Sequence, residues 1–75
     1  MKKTWKILIV DDDVSILRSY QKYLESEGFS VATAKDGEEG FNKTLKERPD
    51  IILMDINMPV KTGLELLEDL NRELD

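Results

Sequence analysis

Two short runs of aliphatic residues dominate the pattern of this chain. Residues 7–10 and Ile51–Met54 are continuously apolar, with no alternation of polar and apolar positions. Such runs are typical of strands that are buried on both faces of a parallel sheet. Both are far too short to cross a bilayer. They therefore predict two interior strands whose sheet must be covered by helices on both faces.

A helix is predicted directly after the first run, over residues 14–27. Asp13 precedes it as a natural N-cap, and Gly28 stands where a left-handed C-terminal cap is needed. The spacing of its apolar positions predicts an amphipathic helix, and these positions are Ile16, Leu17, Tyr20, Tyr23 and Leu24.

The middle of the chain predicts a shorter strand and a second helix. Residues 30–34 are smaller and more polar than the two apolar runs, as in an edge strand. Asp36 and Glu39 have the spacing of a capping box, which opens a helix that continues to about residue 47. The residues expected on the buried side of this helix are Phe41 and Leu45.

A third helix is predicted at the end of the chain. Thr62 and Glu65 again have capping-box spacing, and a helical stripe follows at Leu64, Leu67, Leu70 and Leu74. The complete pattern is βαβαβα, without a linker or repeat. This alternation predicts a parallel α/β sheet with right-handed crossovers.

Composition narrows the chemistry that the chain can perform. Its 11 basic and 16 acidic residues give a net charge of -5, which argues against nucleic acid or an anionic membrane as the main partner. The absence of cysteine and histidine excludes disulfides, thiolate nucleophiles, imidazole bases and His-ligated metals. No secretory signal is visible, so we expect a cytoplasmic protein. Carboxylate chemistry remains.

Acidic residues stand at the carboxyl ends of both predicted interior strands. Asp11, Asp12 and Asp13 follow the first, and Asp55 follows the second. Ligands of open α/β sheets bind at this edge, so neighbouring strands would bring Asp55 opposite Asp11 and Asp12. Two carboxylates about 4 Å apart repel by about 4 kcal/mol at an effective dielectric constant near 20, and a cation relieves this repulsion. All-oxygen ligation suits Mg²⁺ or Mn²⁺, whereas Asp13 is explained more simply as a helix cap.

Two other interpretations of these residues fail. An EF-hand loop that begins at Asp55 requires a glycine and a glutamate where the chain has Val60 and Leu66. The four glycines are scattered and form no phosphate-binding loop. Solvated loop residues remain the simplest alternative for Asp11 and Asp12.

Taken together, these motifs closely resemble a response regulator receiver domain. The resemblance extends from about residue 6 to the last residue, and the ordered set is far more specific than a lone pair of aspartates. The motifs are Val10-Asp11-Asp12-Asp13, Asp36-Gly37, Leu53-Met54-Asp55-Ile56-Asn57-Met58-Pro59 and Gly63-Leu64-Glu65-Leu66-Leu67.

The resemblance implies a flavodoxin-like half-fold and a phosphoacceptor function. The sheet would have the order 2-1-3, with one helix on one face and two on the other. Asp55 occupies the phosphoacceptor position, whose carboxylate takes a phosphoryl group from a histidine kinase. Asp12 resembles the direct ligand of Mg²⁺ (or Mn²⁺) and Asp11 the ligand that acts through water, while Asn57 would contribute its main-chain carbonyl. Such a domain assists its own phosphorylation without being an enzyme.

The chain also departs from the family pattern. Receiver domains have five strand-helix units, and residues 1–75 correspond to a single truncated domain of three. The units that carry the family's switch Ser/Thr and phosphate-binding lysine are absent, and neither Lys35 nor Lys61 stands in that lysine's place. We therefore expect impaired phosphotransfer. The alternatives are a pseudo-receiver or engineered fragment that acts as an interaction module, and a hydrolase, which Asn57 disfavours because it replaces the general acid.

An exposed strand edge predicts self-association. In the full order 2-1-3-4-5 the third strand is interior, but here it would lose one neighbour. The run Ile51–Met54 contains no proline, lysine or glycine that would protect such an edge. We expect a two-fold homodimer in which the third strands pair antiparallel and the last helices contact each other. A partly molten monomer is the competing expectation at this length.

Overall fold

The computed structural model describes residues 4–55 and 63–74, and within the last helix it describes the side chains of residues 68–73. Strands and helices alternate along the chain, as the hydrophobic pattern predicts. The elements are β1 (Lys6–Val10), α1 (Val14–Ser26), β2 (Ser30–Ala34), α2 (Gly37–Glu47), β3 (Ile51–Met54) and α3 (Gly63–Leu74). Among the described residues, no helix is both long enough and apolar enough to span a bilayer.

Strand β1 is the centre of a parallel three-stranded sheet with the order β2-β1-β3. Its Ile7 pairs with Val31 on one side and with Ile51 on the other. All four residues of the apolar run 7–10 are buried, with at most 3% of their surface exposed. The predicted fold class and strand order are therefore confirmed.

The alternating side chains of β1 build two separate cores. On one face, Ile7 and Ile9 pack with Leu17 of α1. On the other face, Leu8 and Val10 belong to a cluster that includes Leu70 of α3. Phe41 of α2 also packs against this second cluster. One helix thus covers one face of the sheet and two helices cover the other, as expected.

Local interactions fix the start of helix α2. The Asp36 side chain accepts a hydrogen bond from the Glu39 backbone N–H at 2.8 Å. Glu39 in turn accepts one at 2.7 Å from the backbone N–H of Lys35, one residue before the cap. The Thr44 side chain is only 2% exposed, and its hydroxyl donates to the Gly40 carbonyl at 2.7 Å. The buried side of α2 therefore includes Thr44, whereas Leu45 is only partly buried.

Helix α1 is less covered than its apolar stripe predicts. Leu17 is buried and Leu24 is partly buried, but Ile16, Tyr20 and Tyr23 are 38%, 51% and 62% exposed. The reason is geometric, because α1 packs on β1 and β2. Its other flank consequently borders an uncovered part of the sheet.

Lys6 connects the start of β3 to the rest of the sheet. Its backbone N–H donates to the Asp50 side chain at 2.9 Å, and its carbonyl accepts from the Asp50 N–H at 2.8 Å. Its ammonium group contacts the Glu47 carboxylate at 3.2 Å. This ion pair is about one-third exposed, so it adds little stability, whereas the paired backbone contacts define where β3 begins.

Replacement of Arg48 by glycine should stabilise the protein. Arg48 is the C-cap of α2 and has φ 50° and ψ 60°, a left-handed conformation that glycine adopts without steric cost. After the greater chain entropy of unfolded glycine is subtracted, we expect Arg48→Gly to raise the free energy of unfolding by about 0.5–1 kcal/mol. Urea denaturation measures this change. The control variant Lys46→Gly, inside the same helix, should instead lower the free energy of unfolding by about 1 kcal/mol.

Removal of the Asp13 cap should destabilise α1. One Asp13 oxygen accepts from the backbone N–H groups of Ser15 and Ile16, at 2.9 and 3.3 Å. Asp13→Ala should cost about 1 kcal/mol in thermal or urea unfolding, because two helical N–H groups lose their partner. Asp13→Asn keeps an acceptor oxygen and should cost only a few tenths of a kcal/mol. Equal losses in the two variants would show that charge, and not capping, matters here.

Candidate functional site at the carboxyl ends of the strands

Backbone hydrogen bonds fix the two chain segments that carry the candidate site. The Asp11 N–H donates to the Ala34 carbonyl at 3.0 Å, which ties the end of β1 to β2. The Asp55 N–H donates to the Val10 carbonyl at 2.9 Å, which ties the end of β3 to β1. Because both ladders are parallel, the two segments leave the sheet on the same side, beyond the carboxyl ends of the strands.

Three carboxylates converge beyond the carboxyl ends of the strands. One oxygen each from Asp11, Asp12 and Asp55 lies within 4.8 Å of the others. Asp12 is exposed, while Asp11 and Asp55 are partly buried. Three acidic groups at this spacing repel one another, and a shared cation would offset that cost. An all-oxygen donor set that remains open to water fits a hard divalent ion such as Mg²⁺.

The neighbouring Asp13 has a different role from the three converging residues. Its side chain caps helix α1, as the sequence predicts. Its backbone N–H donates to one oxygen of Asp11 at 2.9 Å. This bond restrains the Asp11 carboxylate beside Asp12 and leaves the other Asp11 oxygen for a ligand or a water. Asn57 and Thr62, which the sequence analysis also singled out, lie outside the described residues.

A cleft adjoins the acidic cluster on the α1 face of the sheet. Tyr20 of α1 forms one wall, and the ends of β1 and β3 form the floor. The sequence analysis placed Tyr20 on the apolar stripe of α1 and did not predict that it lies beside the acidic cluster, because helical periodicity does not show where a helix lies relative to a strand end. The residues that line the cleft are Ile9, Val10, Asp11, Tyr20, Ile52, Leu53, Met54 and Asp55.

Several known proteins are similar to this chain in sequence. The chain is 43% identical over 68 residues to the alkaline phosphatase synthesis transcriptional regulatory protein PhoP of Bacillus subtilis. The aligned region covers 91% of the chain and 28% of PhoP. The chain is 45% identical over 65 residues to the transcriptional regulatory protein PrrA of Mycobacterium tuberculosis, with 87% and 28% covered. The chain therefore spans less than a third of the length of these relatives.

Solved structures agree with the sequence comparison. The chemotaxis protein CheY4 of Vibrio cholerae superposes with a TM-score of 0.91 at 39% identity, covering 96% of this chain and 60% of CheY4. A CheY-like receiver domain protein of Methanospirillum hungatei gives 0.89 at 41% identity, with 95% and 57% covered. The response regulator receiver domain family matches residues 7–75. The chain accordingly belongs to the response regulator receiver domain family.

Proposed function

We propose that this chain is a phosphoacceptor module that takes a phosphoryl group onto Asp55 from the phosphohistidine of a sensor histidine kinase. The supporting observation is the convergence of Asp11, Asp12 and Asp55 at the carboxyl ends of β1 and β3. A carboxylate oxygen of Asp55 would attack phosphorus while the bond to the histidine nitrogen breaks. The module acts in the cytoplasm and binds neither nucleic acid nor membrane through this segment.

The acidic cluster also provides the ligands for the metal that this transfer requires. Asp12 and Asp55 would bind Mg²⁺ (or Mn²⁺) directly, Asp11 would act through a water, and the Asn57 carbonyl would complete the protein ligands. When bound, the ion neutralises the carboxylates and the developing charge of the phosphoryl group. The hydrogen bond from Asp13 holds Asp11 in place before any ligand arrives.

The proposed phosphoacceptor site belongs to the first part of the receiver fold. Residues 1–75 correspond to the first three of five receiver units, treated as one domain. The family's phosphate-binding lysine and switch hydroxyl lie in the later units. Contacts of this kind contribute about 2.7–4 kcal/mol each in other electrostatic sites, so residues 1–75 supply only part of the stabilisation that the family's transfer uses.

Self-association is a second candidate function, and a specific observation favours it. Two residues of β3, Ile51 and Leu53, are 41% and 42% exposed although they belong to an apolar strand. The second part of the dimer expected from sequence, a contact between the last helices, has less support. Leu70 is only 3% exposed and packs into the core, while the side chains of the other three leucines of that stripe lie outside the described residues.

Weak magnesium binding should be measurable at the acidic cluster. Titration with Mg²⁺, followed by NMR signals of Asp12 and Asp55, should give a saturable curve because several ligands of the ion remain water. Asp12→Asn should weaken binding about tenfold or more, since one directly bound carboxylate is lost. Asp36→Asn is a matched control at the end of β2, outside the cluster. An unchanged curve for Asp12→Asn would contradict the proposed site.

Phosphorylation by a small donor should be confined to Asp55. With acetyl phosphate and Mg²⁺, intact-mass analysis should show an added phosphate that Asp55→Asn abolishes. Asp50→Asn, at the opposite end of β3, should leave the labelling unchanged. Complete absence of labelling with metal present would support the pseudo-receiver alternative. Labelling that persists in Asp55→Asn would contradict the proposed phosphoacceptor.

A further inference from the structure

Asp13 forms hydrogen bonds through three of its groups. One side-chain oxygen accepts from the backbone N–H groups of Ser15 and Ile16, at 2.9 and 3.3 Å. Its carbonyl accepts from the N–H of Leu17 at 3.0 Å, and the Leu17 side chain is buried in the core. Its own N–H donates to one oxygen of Asp11 at 2.9 Å. Asp13 therefore connects a carboxylate of the acidic cluster to a helix that is anchored in the core.

The capping bonds of Asp13 determine where its N–H group points. Residue 13 has φ -91° and ψ 107°, the extended conformation that is typical of an N-cap. An acceptor at this position satisfies N–H groups of the first helical turn that have no partner within the helix. If that acceptor is lost, the first turn frays and the backbone of residue 13 is released. The direction of its N–H group is then no longer fixed toward Asp11.

The Asp11 carboxylate needs such a restraint because its neighbours repel it. One oxygen each of Asp11, Asp12 and Asp55 lies within 4.8 Å of the others. Repulsion at this spacing favours rotation of a carboxylate away from the cluster and into water. The hydrogen bond from the Asp13 N–H opposes this rotation, and hydrogen bonds to a charged acceptor are stronger than neutral ones. The N–H group thus keeps the cluster assembled before a cation arrives.

A second capping aspartate provides a comparison within the same chain. The Asp36 side chain caps α2 by accepting from the Glu39 N–H at 2.8 Å. Like Asp13, it stands between a strand and the helix that follows. The acidic cluster consists of Asp11, Asp12 and Asp55. The two caps therefore share their chemistry, but the one formed by Asp13 is the cap that is bonded to a member of the cluster.

We propose that Asp13 is a positioning residue, which holds the Asp11 carboxylate in place for a divalent cation by capping α1. The proposal rests on the proposed function, because it concerns the same metal site. Coupling between two equilibria is reciprocal, so the factor by which the cap strengthens cation binding is also the factor by which the cation strengthens the cap. The first turn of α1 consequently responds to the cation, although the three clustered carboxylates lie outside this helix.

Magnesium affinity separates the cap from the charge of Asp13. Asp13→Asn and Asp13→Ala both remove the charge, but only asparagine keeps an acceptor for the helical N–H groups. In a Mg²⁺ titration followed by the NMR signals of Asp12, Asp13→Ala should bind about fivefold more weakly than Asp13→Asn. This factor corresponds to about 1 kcal/mol of capping free energy. Equal affinities of the two folded variants would overturn the proposal.

The cap of α2 supplies the matched control for this titration. Asp36→Ala removes an equivalent capping bond and should cost a similar free energy of unfolding. Its Mg²⁺ affinity should equal that of the unmodified chain, because Asp36 is not bonded to Asp11. Circular dichroism confirms that each variant is folded. A loss of affinity in Asp36→Ala as large as that in Asp13→Ala would show that general destabilisation is the cause, and would contradict a positioning role.

Amide hydrogen exchange tests the reciprocal effect. Saturating Mg²⁺ should slow exchange of the Ser15 and Ile16 N–H groups about fivefold in the unmodified chain, and should have little effect on them in Asp13→Ala. The Glu39 N–H is the equivalent donor at the α2 cap and reports any stabilisation of the whole domain. Equal slowing at Glu39 and at the start of α1 would refute the proposed coupling.

A measurement without metal distinguishes failure of this proposal from failure of the proposed function. The Hα–Hβ coupling constants of Asp11 show whether its side chain keeps one rotamer. One rotamer is expected in the unmodified chain and in Asp13→Asn, and rotamer averaging in Asp13→Ala. Identical coupling constants in all three would overturn the positioning role alone. Absence of Mg²⁺ binding in every variant and in the unmodified chain would instead refute the metal site and, with it, the role of Asp13 toward a cation.

Discussion

The structure depends on the complete enclosure of strand β1. Its apolar residues are buried on both faces, and it pairs with a parallel strand on each edge. Every other element is positioned by reference to it, because α1 closes one core and α2 with α3 closes the other. Leu8 and Val10 are fully buried, so substitution with smaller residues would open a cavity at the centre of the molecule. Because folded domains are only marginally stable, such a cavity would remove a large part of the free energy of unfolding.

Enclosure of β1 is also what creates the acidic site. Because β1 pairs in parallel with both neighbours, the carboxyl ends of all three strands lie at the same end of the sheet. Asp11 and Asp55, which are 44 positions apart in the sequence, therefore belong to one cluster. The cluster repels itself, and the hydrophobic burial beneath it must offset that repulsion. The site is thus held by the backbone of the sheet, with the Asp13 N–H as an additional restraint on Asp11. Because backbone hydrogen bonds hold the site in place, the carboxylate oxygens remain open to ligands.

Much of this architecture could be predicted because it depends on local patterns. The unbroken apolar runs predicted the interior strands, and Asp13 and Gly28 marked the ends of α1, where Gly28 indeed has φ 97°. Other features depend on contacts between distant elements and could not be predicted. Arg48 gives no sign in the sequence of its left-handed conformation. The exposure of Tyr20 follows from where α1 lies on the sheet. The hydrogen bond from the Lys43 ammonium group to the Thr33 carbonyl follows from the crossover that brings α2 over β2.

The parallel topology has a consequence for the order of folding. Pairing of Ile7 with Val31 closes 24 residues, whereas pairing of Ile7 with Ile51 closes 44. The longer closure costs about 0.5 kcal/mol more in chain entropy, so the β1-α1-β2 unit has the advantage as the folding nucleus. Strand β3 then joins late and carries Asp55 into the cluster. Repulsion among the carboxylates is therefore absent from the folding nucleus. It should raise the unfolding rate and leave the folding rate nearly unchanged.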